Sequence, residues 1–192
     1  MPLTTIDPAA ALLTIDLQKG ILRAPTAHPV AGVIDNAGAL AAAFRRHDLP
    51  VVLVTVAGGA PGRTDASAGA VRSTPPPTTR PADFAEIVDE LDAQAGDHRI
   101  TKQRWGAFTG TSLDEHLRER GVTQVFLTGV ATSIGVESTA RFAHELGYHV
   151  VLVTDAMTDT SPDAHDNSVE RVFPRLGETA TTAEVLEMLR TC

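Results

Sequence analysis

Three residues sit at or just beyond the ends of candidate strands, and together they hold the parts of a proton-transfer site. Asp16 closes the run ALLTID, Lys102 follows HRIT, and Gly135 lies in GVATSIGVESTAR, a stretch (129–141) that reads as a buried strand turning straight into a helix. Each has an ordinary alternative, since Asp caps turns, Lys is usually solvated and Gly marks turns. On one rim they can converge. An ammonium beside a carboxylate lowers its pKa and burial raises it, so an Asp and Lys pair in a dry cleft can be tuned to give and take a proton. The corner itself offers only Thr132, Ser133 and the bare Gly135. Chemistry there needs an acid of suitable pKa and a shaped cleft rather than a strong protein nucleophile.

The elements that must position these residues follow from hydrophobic patterning. Continuous apolar, β-branched runs at 11–16, 51–56, 124–129 and 149–155 predict strands buried on both faces, as in parallel sheets, with weaker strand candidates at 98–101 and 178–182. Ile34, Ala37, Leu40, Ala41 and Phe44 have helical spacing, as do Phe84, Ile87, Val88 and Leu91. Ser112 with Glu115 and Thr181 with Glu184 predict capping boxes, and Gly121 a helix stop. Six strands alternating with helices predict one doubly wound α/β domain over residues 1–192, with a mostly parallel, Rossmann-like sheet. Ligands of such sheets bind beyond the carboxyl ends of the strands, where Asp16, Lys102 and Gly135 fall. Residues 57–84, rich in Gly, Pro, Ser and Thr, break the rhythm and are expected to form a loop, a lid or a subunit-contact arm.

Composition narrows the partners. A chain of 192 residues that is 43% hydrophobic can bury one core. A formal net charge of −8 argues against a nucleic-acid partner and leaves a small molecule or another protein chain. The only cysteine is Cys192, so no disulfide framework is expected and a reducing cytoplasm fits. The N-terminus lacks the pattern of a signal peptide, and no apolar run approaches the roughly 20 residues of a membrane span, so no membrane partner is expected. The seven histidines show no metal spacing, and His28, His144 and His165 read as surface or core polar groups.

The segments LLTIDLQ, TKQRWGAF and LTGVATSIGVESTARFAHELGYHVVLVTDAMTD resemble, in order and spacing, the three signature segments of the isochorismatase-like hydrolase superfamily, and the similarity runs on into FPRLGETATTAEVLE. The resemblance implies, for most members, an Asp, Lys, Cys triad that hydrolyses amides through a thioester. Asp16 and Lys102 match the first two members of the triad, and Gly135 stands where the cysteine belongs. That departure resembles isochorismatase proper, in which the cysteine is also replaced and the Asp protonates a vinyl ether. It implies a cofactor-independent hydrolase of a small cyclic vinyl-ether or related substrate, with Asp16 as acid and base, Lys102 as its electrostatic partner and Gly135 as a floor for the ring. Two alternatives stand beside it: a catalytically silent member that binds a small molecule or protein partner, and a cysteine amidase whose nucleophile has been replaced by Gly135.

The resemblance further implies a cis peptide between Val130 and Ala131 that helps to build an oxyanion hole, and a homodimer or homotetramer; amides at the start of the helix after the corner are expected to hold negative charge. Nicotinamidases of the superfamily carry an Asp and His cluster between the second strand and the lysine. Here that span has a single histidine, His98, at its end, so no metal is expected. Trp105 and Phe108, beside Lys102 in a chain with 4% aromatics, are pocket-wall candidates or core residues. Gln18 either holds substrate or satisfies a turn, and Ser133 is expected to cap the helix. Arg63, Arg72, Arg80 and Arg104 are the basic candidates for a dicarboxylate substrate.

Overall fold

The computed structural model describes residues 1–58 and 81–191. Six parallel strands form one sheet in the order β3-β2-β1-β4-β5-β6. They are β1 (Ala10–Ile15), β2 (Val51–Val56), β3 (His98–Lys102), β4 (Gln124–Val130), β5 (His149–Thr158) and β6 (Glu178–Ala180). The helices include α1 (Val30–Arg46), α2 (Leu113–Glu119), α3 (Glu137–Glu145), α4 (Pro162–Asn167), α5 (Phe173–Leu176) and α6 (Thr182–Thr191). This is the α/β architecture expected from the sequence. Among the described residues no helix is long and apolar enough to cross a membrane. Of the span 57–84, residues 59–80 lie outside the described residues, and with them Arg63, Arg72 and Arg80.

Side chains alternate across the central strands, so each strand feeds two cores. Ala10 and Leu12 face a cluster with Leu40, Phe44 and Phe126, while Ala11, Leu13 and Ile15 face another with Leu113, Leu117, Ala140 and Phe173. Covering both faces leaves β1 and β4 buried along their whole length and mostly apolar. At the carboxyl end the two strands close tightly. Gly129 has φ +115, and a Cβ there would lie 2.0 Å from the Ile15 carbonyl oxygen, so only glycine fits.

Local expectations fail at two places. Phe84, Ile87, Val88 and Leu91 do not form a helix, and only Asp89–Leu91 make a 3-10 turn. The backbone of 84–88 is drawn instead into bonds with 17–20: Lys19 N–H to Glu86 O, Gly20 N–H to Phe84 O and Val88 N–H to Leu17 O. At α2 the Ser112 side chain makes no capping bond; Thr111 Oγ1 accepts from Leu113 N–H at 3.3 Å. The Thr181–Glu184 box forms in full. In β5 the register against β4 jumps from Leu127↔Leu152 to Gly129↔Met157, so that Thr158 comes opposite Val130.

Candidate active site

The strand order reverses at β1, and Asp16 leaves this strand beside the end of β4, at the switch point of the sheet. Its backbone has φ +53, a conformation Asp tolerates better than most residues, and its N–H donates to Val54 O at 2.9 Å. Lys102 ends β3, two strands away across β2, and its long stem reaches back toward Asp16. Its Nζ donates to Asp16 Oδ2 at 2.7 Å and to the Arg104 carbonyl at 3.2 Å. Both side chains are buried. Asp16 Oδ1 is also buried and has no hydrogen-bond partner among the described residues. Burial raises the Asp16 carboxyl to about 6, outweighing the Lys102 ammonium, which pulls the other way. The result is a carboxyl group with one oxygen pinned, one oxygen bare, and a pKa suited to proton transfer.

The corner after β4 closes the other side. The Val130–Ala131 peptide is cis. A single wide turn, Thr132–Val136, then leads into α3, with the Ala131 carbonyl accepting from Ile134 and Val136. Gly135 lies against the acid: a Cβ built there would stand 3.3 Å from Asp16 Oδ2, 3.1 Å from Val130 O and 3.0 Å from Ile15 Cγ2. Any larger residue crowds that floor.

Two expectations for the corner do not hold. Ser133 does not cap the helix; its N–H and its hydroxyl both donate to Asp159 Oδ2 at 2.8 Å. The corner amides are therefore not all open to an external anion, because that of Ser133 is already met by a carboxylate of the chain. Sequence reasoning passed over Asp159, whose only signal is the polar stretch TDTSP, in which Ser161 caps α4. It also gave no role to the buried tie between Thr132 Oγ1 and His165 Nδ1, 2.9 Å apart.

The remaining candidates disperse. Gln18 is buried with its amide spent on the backbone: Oε1 accepts from Val56 N–H at 2.7 Å, and Nε2 donates to Phe84 O and Val56 O. It ties the end of β2 to the segment entering β3 rather than presenting a polar group to a ligand. Phe108 belongs to the core, stacked on Tyr148 with ring centres 5.9 Å apart. Trp105, by contrast, is 69% exposed. Among the described residues no group of three His, Cys, Asp or Glu side chains is placed to share a metal ion.

Comparisons with known proteins show the family and the fold. Residues 10–184 match the Isochorismatase domain family. The chain is 43% identical over 185 residues to the isochorismatase family protein YwoC of Bacillus subtilis, covering 94% of each. It superimposes with a TM-score of 0.82 on an isochorismatase family protein from Burkholderia thailandensis, at 40% identity and covering 97% of this chain and 98% of that one. N-carbamoylsarcosine amidase from Thermoplasma acidophilum gives a TM-score of 0.73 at 27% identity, over 91% and 96% of the two chains.

Proposed function

Because the chain belongs to the isochorismatase family of hydrolases, we propose that it cleaves a small cyclic vinyl ether by acid catalysis, with Asp16 as the acid and no covalent intermediate. The observation that carries this reading is the buried Oδ1, unpartnered among the described residues, of a carboxyl group raised to about 6. At pH 7 about a tenth of such a group is protonated, enough to act as a general acid. The proton passes from Asp16 Oδ1 to the terminal carbon of the vinyl ether, leaving an oxocarbenium ion and a carboxylate. Water adds to the cation and gives its proton to Asp16, and the hemiketal then breaks to a ketone and an alcohol. Lys102 holds Oδ2 throughout, so that the bare oxygen faces the substrate.

Gly135 supports the same reading. With no side chain at the corner, a thioester route is closed and a ring can approach the backbone. The cis carbonyl of Val130 and the backbone of Ala131 border that floor. The protein acts without a cofactor, in the cytoplasm, as a homodimer or homotetramer. The apolar side chains of Trp105, Ile134 and Phe142, 69%, 40% and 47% exposed, support the assembly.

The test is turnover of isochorismate against a panel of primary and N-carbamoyl amides. Release of pyruvate from isochorismate with the amides untouched is expected. Amide hydrolysis in its place would overturn the reading.

A further inference from the structure

Asp159 is 3% exposed, and a carboxylate so far from water must be held by donors. Its donors are amides and hydroxyls. Oδ2 takes the Ser133 N–H and Oγ, each at 2.8 Å, and Oδ1 takes Thr160 N–H at 2.8 Å, Ser161 N–H at 3.3 Å and Thr160 Oγ1 at 3.4 Å. Burial alone would raise its pKa. The Ser133 amide and hydroxyl, with the amides of Ser161 and Thr160, outweigh burial and hold it below the usual carboxylate range. A carboxylate held ionised in this way is a poor base, so it does not activate Ser133 as a nucleophile. What it does is fix the turn.

The placement depends on the register jump in β5. The jump brings Thr158 opposite Val130 and so sets Asp159 beside the corner that carries Gly135. Asp155, earlier on the same strand, serves elsewhere, taking the Thr182 amide and hydroxyl at the start of α6. A second tie runs parallel to the first: Thr132 Oγ1 meets His165 Nδ1, the His165 ring stands edge-on to His28 at 4.5 Å, and His28 Nδ1 meets Thr158 Oγ1 at 3.0 Å. Both polar residues at the start of the turn are thus anchored to the end of β5 and to α4, and the turn in its fixed pose puts Gly135 against Asp16 Oδ2.

We propose that Asp159 is a positioning residue for the reaction: by clamping Ser133 it holds the turn that carries Gly135 over Asp16, and so keeps the acid dry and its floor in shape. This rests on the reading of Asp16 as the acid. Neither Asp159 nor Ser133 touches the Lys102–Asp16 pair, so loosening the clamp acts on the acid only through the turn.

The test pairs a titration that needs no substrate with kinetics. In protein labelled with 13C at aspartate carboxyls, the Asp16 signal is identified by its loss in Asp16→Asn and followed with pH in wild type, Asp159→Asn, Ser133→Ala and Ser133→Thr. Asp159→Asn cannot accept all five donors, and water admitted by the loosened turn should bring the Asp16 titration down by roughly one unit. Ser133→Ala keeps the amide bond and should move it less, and Ser133→Thr should restore the wild-type value. On isochorismate, kcat should fall roughly 10–100-fold in Asp159→Asn with KM little changed. Variants that melt at lower temperature yet keep the wild-type Asp16 titration would overturn the proposal. If Asp159→Asn does not fold, Ser133→Ala decides by the same titration. Failure to turn over isochorismate with the titration shifted as expected would count against the substrate and not the clamp.

Discussion

The ammonium of Lys102 holds Asp16 Oδ2 at 2.7 Å and leaves Oδ1, buried beside it, without a hydrogen-bond partner among the described residues. An ion pair of this kind usually keeps a carboxyl group ionised. Here burial is the larger effect, and the carboxyl group is raised to about 6 in spite of its partner. The pair is therefore better understood as orienting the acid than as stabilising the fold.

Removing the cation tests that division of roles. In Lys102→Met the ammonium no longer lowers the Asp16 carboxyl, which should move above 6. The pH at which activity falls away on the alkaline side should rise with it, while turnover at its best pH drops roughly 100-fold because Oδ1 is no longer aimed. A pH–rate profile unchanged in position would separate Lys102 from the acid.

Gly135→Ala tests the floor. The new methyl carbon would meet Ile15 Cγ2 at 3.0 Å, Val130 O at 3.1 Å and Asp16 Oδ2 at 3.3 Å. Crowding of this kind costs about 1–3 kcal/mol, partly offset by up to about 1 kcal/mol from alanine's better helix propensity. The expected outcome is a modest loss in chemical denaturation and a clear rise in KM for a cyclic substrate. Wild-type KM would show that the substrate does not rest there.

The opposite end of the sheet carries a separate response to acid. His98 and His116 stack with ring centres 3.4 Å apart, and Arg120 faces His116 Nδ1 at 3.4 Å. Burial, then His98 and Arg120, lower His116 from 6.5 to about 4, and burial with Arg120 lowers His98. The folded state thus binds fewer protons than the unfolded chain between these values. Stability from this pair is present above pH 6.5 and is lost as pH falls toward about 4. His116→Gln should flatten that part of the pH–stability curve measured by urea denaturation; an unchanged slope would contradict the assignment.

Assembly can be read from the only tryptophan. Trp105 is 69% exposed in the single chain, so a partner that covers it should shift its emission to the blue. Light scattering should give a dimer or tetramer, and dilution should move the emission to the red as the species dissociates. A monomer at micromolar concentration would refute the assembly.

The sequence made the acid and its cation legible because apolar runs end where strands end. Asp16 closes such a run and Lys102 follows the weaker strand candidate HRIT, and a parallel sheet brings those ends to one rim. Gly135 was legible by its place after β4. Phe84–Leu91 misled because helical spacing does not reveal that the backbone is claimed by residues 17–20. Asp159 was hidden for another reason: it reaches the corner through a register jump in β5, and nothing in the run HVVLVTDAMT marks where that jump falls. Composition likewise placed Trp105 and Phe108 near Lys102 without distinguishing an exposed ring from a core one.

The pH dependence of kcat/KM for isochorismate, measured on wild type and Asp16→Asn side by side, tests the central claim most directly. The amide is close in size to the carboxyl group but cannot give up and recover a proton. Wild-type activity should decline as pH rises through about 6, where Asp16 loses its proton. Asp16→Asn should fold and lose at least about 100-fold in rate, together with that decline. Wild-type protein that releases no pyruvate, or a variant that keeps both the rate and its pH dependence, would contradict the account.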